Sequence, residues 1–178
     1  MKHRHIRRKT QHLINSLDLT SPFSVEDLCH QITERRGRRI RLAPLSFPAS
    51  GPAGLLVSTS TVDYVFYEAH TTTPHQTHVI VHELGHLVWE HTSPAAGGDE
   101  PPETGSLLDD DIDPTLMRHM LGRTQYGRPE EYAAEYFATQ VLRLASGPLL
   151  ATTAVPPDMS ELVARLERSL QHGGGHRR

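Results

Sequence analysis

His82 and His86 stand four residues apart and enclose a glutamate in the stretch His82-Glu83-Leu84-Gly85-His86. On a helix, four residues turn through ~400° and rise about 6 Å, so both imidazoles project from one face. They can then reach a single cation at ~2.0–2.1 Å. Glu83 lies on the neighbouring flank, too far round to complete that ligand set easily but close enough to hold a water on the metal. Bound zinc lowers the pKa of such a water toward ~7. A carboxylate beside it can take the proton and pass it to a leaving group. The H-E-x-x-H pattern therefore predicts hydrolysis by an activated water, with His82 and His86 as ligands and Glu83 as the catalytic base. Zinc is the preferred ion, although other divalent ions also suit two nitrogens and a carboxylate.

The element that must carry these groups has a clear start signal. Thr73 can cap a helix, Pro74 suits its first position and Gln76 follows three residues after the cap. The pattern predicts a helix from Pro74 to about His91. Val79, Ile80, Val81, Leu84, Leu87, Val88 and Trp89 surround it, and a helix apolar on all sides is buried. Burying polar groups without partners costs a few kcal/mol each, which a metal and its water would offset here. Gly85 inside a helix costs ~1 kcal/mol relative to Ala. It is expected where another backbone packs closely, as the element closing the site from the other side would.

A catalytic zinc takes three protein ligands and keeps one open position. A third histidine at metzincin spacing would stand at position 92 with Gly at 89, but these are Thr92 and Trp89, and His91 falls one residue short. A better source is a helix from near Pro129 to about Ala145. In it Glu131 and Glu135 share one face, four residues apart. One carboxylate can bind the metal while the other orients a ligand histidine. Asp109, Asp110 and Asp111 are rivals in a loop without fixed spacing. His78, one turn before His82, and Tyr132 are candidate contacts to substrate or oxyanion, as is Tyr126.

The remaining chain supplies scaffold. Helices are predicted over about residues 5–18 and after the Ser24 cap, the second stopping at Gly37. Arg39–Leu45, Gly54–Thr59 and Val62–Tyr67 read as strands, the last two joined by a tight turn. If Val62–Tyr67 is an edge, it could bind a peptide by strand addition. Residues 92–127 form a long loop, with a short helix near Leu116–Leu121, and a last helix spans about Met159–Leu170. The expectation is an α+β fold: a small, mostly antiparallel sheet packed against a buried metal-binding helix, with flanking helices. Three segments follow: 1–23, a helix with a basic start; 24–146, the core; 147–178, a helix and tail.

With 178 residues, 37% hydrophobic and 22% charged, the chain suits one domain with a modest core. The net charge of -3 decides nothing about nucleic acid. Arg35, Arg36, Arg38, Arg39 and Arg41 form a basic cluster, and Asp99 to Asp113 holds seven acidic residues; such runs are ordinarily solvated faces. Cys29 is the single cysteine, so no internal disulfide or cysteine-based zinc knuckle can form. The basic start lacks the apolar run of a signal peptide, and no stretch approaches the ~20 apolar residues that span a bilayer. A cytoplasmic protein without a membrane partner is expected.

The run Val79-Ile80-Val81-His82-Glu83-Leu84-Gly85-His86-Leu87-Val88, followed by Glu131, Ala134, Glu135, Phe137 and Ala138, resembles the ImmA/IrrE family of metallopeptidases. The matching core covers about residues 24–145. The resemblance implies that Glu131 is the third zinc ligand, in the gluzincin manner, and that Glu135 supports a ligand. It also implies a regulatory protease that cleaves a helix-turn-helix transcriptional regulator; direct nucleic-acid contact is not expected. The chain departs from better-known members at Glu135, where Asn or Asp is commoner, and shows no obvious helix-turn-helix or sensory domain after the core. The alternative is a non-catalytic, metal-stabilised regulatory module that binds a repressor or DNA.

Overall fold

The computed structural model describes residues 3–49, 51–59, 61–90, 127–145 and 154–172. In chain order these form α1 (His3–Asn15), α2 (Val25–Arg36), β1 (Arg39–Leu45), β2 (Gly54–Ser58), β3 (Val62–Glu68), α3 (Thr73–Val88), α4 (Arg128–Leu144) and α5 (Ser160–His172). The short helix expected near Leu116–Leu121, Asp109 to Asp111, His91 and Tyr126 lie outside the described residues.

Local chemistry accounts for several boundaries. The Ser24 hydroxyl accepts from the Asp27 N–H at 3.0 Å, and the Asp27 carboxylate accepts from the Ser24 N–H at 2.8 Å, a reciprocal cap for α2. Gly37 closes that helix at φ 68°, a left-handed conformation that favours glycine. The start of α3 differs from the sequence expectation. Thr72, not Thr73, is the N-cap, and it makes no side-chain capping bond. Gln76 instead donates to the carbonyls of Glu68 and Ala69, both at 3.1 Å, and ties the helix start to the end of β3. The helix also stops at Val88, short of His91, because Glu90 turns the chain at φ 56°. Glycine usually takes that conformation, so no residue type announced the stop.

The fold is α+β as expected, but the sheet is mixed rather than mostly antiparallel. Its order is β1-β3-β2. β3 pairs parallel with β1 (Arg39 opposite Val62) and antiparallel with β2 (Gly54 opposite Tyr67). The chain leaves β1, runs back through β2 two strand spacings away, and returns through β3 into the gap between them. Alternation along a strand assigns its two faces but not its place in the sheet. β3 is therefore central and hydrogen-bonded on both sides, which removes Val62–Tyr67 as a site of strand addition. Among the described residues, the strand bordering α3 with an unpaired outer edge is β2.

Each sheet face has its own core. Val65 and Tyr67 join α3, the buried stripes of α1 and α2, and Ala133, Phe137, Ala138 and Val141 of α4. Ala43, Leu45, Leu55, Val57 and Phe66 on the other face pack against Met159, Val163, Leu166 and Leu170. Much of the arginine cluster is taken up by the fold. Arg36 reaches the fully buried Asp63 on β3 at 3.2 Å and the Leu87 carbonyl at 2.9 Å. Arg38 reaches Asp63 at 3.7 Å and the Thr59 carbonyl at 2.7 Å. Arg35 bonds Ser16, and Arg41 pairs with Asp158. Among the described residues, no helix is long and apolar enough to cross a membrane.

Candidate metal centre

The geometry of the centre follows from one helix crossing. At Gly85 of α3 an added Cβ would lie 3.1 Å from both the Cα and the carbonyl oxygen of Ala134, and 3.2 Å from the Phe137 ring. A residue without a side chain lets α3 and α4 approach this closely with no crowded contact. Glu131 stands nearly one turn before Ala134, so this contact brings its carboxylate to the two histidines.

The rings of His82 and His86 converge. Their Nε2 atoms are 3.2 Å apart. The Glu131 carboxylate lies 3.5 Å from His82 Nε2 and 3.9 Å from His86 Nε2. One ligand atom from each of the three residues falls within 4.8 Å of the other two. Donors placed tetrahedrally at ~2.0–2.1 Å around zinc are about 3.3 Å apart, so two nitrogens and an oxygen at these separations fit a divalent ion with little adjustment. His86 is fully buried and His82 partly so, and two converging imidazole nitrogens beside a carboxylate are a donor set that suits a divalent cation.

Glu135 occupies a different position. Its Oε2 lies 3.5 Å from Nδ1 of His82, the nitrogen facing away from the cluster, and 3.1 Å from Nε2 of His78. The two carboxylates, alternatives on sequence grounds, meet different nitrogens of His82: Glu131 lies beside Nε2 and Glu135 beside Nδ1. A carboxylate on Nδ1 fixes the ring's orientation and leaves Nε2 for a metal. Glu135→Ala is expected to weaken zinc binding by about 10- to 100-fold, as loss of such a support does. Competition against a chromophoric chelator measures this, and unchanged affinity would show that Glu135 does not support His82.

Glu83 is buried on the flank of the cluster. Burial, reinforced by the charge of Glu131, raises its carboxyl from the usual 4.5 to about 8. Burial also raises Glu131, helped by Glu130 and Glu135 and opposed by His82. A cleft of about 280 Å³ opens onto these groups, lined by Pro52, Ala53, Gly54, His78, Val79 and the four residues of the centre.

No family model, curated protein or solved structure matches this chain. The reading of the centre rests on its own geometry.

Two other predicted residues are placed clearly. His78 lines the cleft, with its Nε2 engaged by Glu135. Tyr132 is not brought to the cleft: its hydroxyl accepts from Arg7 Nε at 3.2 Å, and its ring meets His3 edge-on at 4.4 Å. A one-residue step along α4 turns a side chain by ~100°, so Tyr132 faces α1 while Glu131 faces α3.

Among the described residues, neither Cys29 nor Ser46 is activated as a nucleophile. Desolvation pushes the thiol of the half-buried Cys29 up to about 12, which keeps it protonated at neutral pH. Ser46 has His70 Nε2 at 3.1 Å, but its hydroxyl donates to Glu167 at 2.7 Å, so the ring does not serve as its base. The sequence reading missed Gly54 and the cleft wall it begins. A glycine inside a strand is a recognised signal of close approach, but at the first position of the strand expected over Gly54–Thr59 it carries no sign of which residue it meets.

Proposed function

We propose that this chain is a zinc-dependent metallopeptidase in which His82, His86 and Glu131 hold the metal and Glu83 moves the proton. The observation that carries the reading is the convergence of His82 Nε2, His86 Nε2 and the Glu131 carboxylate beside a buried carboxyl. When bound, a divalent ion supplies Lewis acidity and positive charge: it acidifies water, polarises a carbonyl and favours the ionised form of Glu83. Glu83 then acts as general base toward the attacking water and returns the proton to the leaving amine. His82 is held by Glu135, and Glu135 in turn by His78.

A peptide is the favoured substrate because the cleft wall continues into β2. Its outer edge, unpaired among the described residues, offers backbone donors and acceptors to an extended chain. The resemblance to ImmA/IrrE metallopeptidases extends the reading to a cytoplasmic regulatory protease acting on a helix-turn-helix transcriptional regulator.

The purified protein is expected to contain one zinc per chain by elemental analysis. It is also expected to cut a helix-turn-helix regulator encoded beside it, with cutting abolished by a chelator and restored by zinc. An intact, metal-dependent complex would instead favour a non-catalytic module that binds the regulator. Absence of metal at the centre would end both readings.

A further inference from the structure

We infer that Gly54, the first residue of β2, is a positioning residue for Glu83. The inference rests on the reading of Glu83 as the base. Gly54 is buried and pairs with Tyr67, on the sheet face turned toward α3. Its backbone is not in the left-handed region, whereas Gly37 is, at φ 68° and with nothing within 4 Å of an added Cβ. Gly37 serves backbone conformation, and Gly54 serves space. A Cβ at position 54 would lie 2.6 Å from Glu83 Oε1, 2.6 Å from Val79 Cγ1 and 3.1 Å from Glu83 Cγ. The two carbon contacts are shorter than the ≈ 3.5–4.0 Å of an ordinary one, and the contact to Oε1 is closer than a Cβ comes to any heavy atom in practice.

Val79 and Glu83 stand one turn apart on α3 and face the strand together. The next residue of β2 on that face, Leu56, carries a side chain that packs into the core. The bare backbone at Gly54 therefore opens the gap that the Glu83 carboxyl fills. It also forms the wall that keeps the carboxyl from swinging away from the cleft, which both residues line. A methyl group there forces a shift, and the Glu83 carboxyl, the flexible end of its side chain, is the group we infer to move, by about 1 Å; a misplacement of that size can cost about 100-fold in rate.

The test is Gly54→Ala in the full-length zinc-loaded protein, alone and combined with Val79→Ala. In the single variant, kcat is expected to fall about 100-fold, while KM and zinc affinity stay within a few-fold. The double variant removes the clash with Val79 and leaves the clash with Glu83. It should regain thermal stability without regaining kcat, and it serves if the single variant folds poorly. A second readout needs no turnover: the 13C signal of the Glu83 carboxyl in metal-free protein, assigned by its loss in Glu83→Gln, should move in the single and the double variant alike. Wild-type kcat in Gly54→Ala, recovery of kcat together with stability in the double variant, or an unmoved carboxyl signal would each overturn the inference. Should the wild-type protein hydrolyse nothing, the peptidase reading falls, and the carboxyl signal still decides whether residue 54 places Glu83.

Discussion

Glu83→Gln is expected to bind zinc as the wild type does and to lose turnover by about 10²- to 10⁴-fold, the range that a positioned general base contributes. Gln has nearly the shape of Glu, so it can occupy the same gap beside Gly54 and Val79 and leave the helix packing intact. Zinc affinity should change little, because the three converging donors belong to His82, His86 and Glu131. What the amide cannot do is accept a proton from water. Peptide cleavage assays alongside zinc titrations separate the two properties. Full activity in this variant would remove Glu83 from the mechanism, and a large loss of zinc would make it a ligand.

The second large effect concerns stability in the chelated protein. Glu83 titrates at about 8 when folded, against the usual 4.5. Below about pH 4.5 both folded and unfolded chains carry the proton, so the group contributes no slope. Between there and about pH 8 the unfolded chain releases the proton and the folded chain keeps it, so stability falls as pH rises. Above pH 8 both are ionised and the loss is complete. About 3.5 pH units at ~1.36 kcal/mol each amount to roughly 5 kcal/mol. Asp27 works in the opposite sense: hydrogen bonds from the Ser24 backbone and side chain hold its carboxyl low, so its contribution is lost as pH falls. The comparison that isolates Glu83 is therefore urea unfolding of wild type against Glu83→Gln across this range. Glu83→Gln should lack the decline, and identical pH profiles would show that the carboxyl is not desolvated in the folded chain.

The two effects have one origin. A carboxyl held in a dry position is a burden to the metal-free fold, since its ionised form lacks the water that would solvate it. The same dryness brings its pKa toward neutrality, where a base and its conjugate acid both work efficiently. Burial also raises the Glu131 carboxyl, opposed by His82.

What could be read from the chain divides along the range of the forces involved. Short-range signals were legible. The four-residue spacing of His82 and His86 fixes their common face through helix geometry alone, and the rings do converge. The Ser24–Asp27 cap, the Gly37 stop and the strand segments depend on neighbours within a few residues. Even the purpose of Gly85 could be anticipated, because a glycine inside a buried helix points to a close backbone, and that backbone is Ala134 of α4. Where a boundary was settled by a distant partner, local signals misled: Gln76 turned from capping its helix to bonding Glu68 and Ala69.

What the tertiary structure alone decided were the relations between elements far apart in the chain. The sheet order was one, because alternation along a strand does not encode which neighbours it pairs with, and β3 entered the centre between β1 and β2. Which nitrogen of His82 each carboxylate meets, Nε2 for Glu131 and Nδ1 for Glu135, was another. The placement of Tyr132 against Arg7 and of Gly54 against Glu83 belongs to the same class. Residue type and spacing along one helix settle which groups point the same way. Which groups meet across two elements depends on how closely those elements pack, and that distance exists only in the folded molecule.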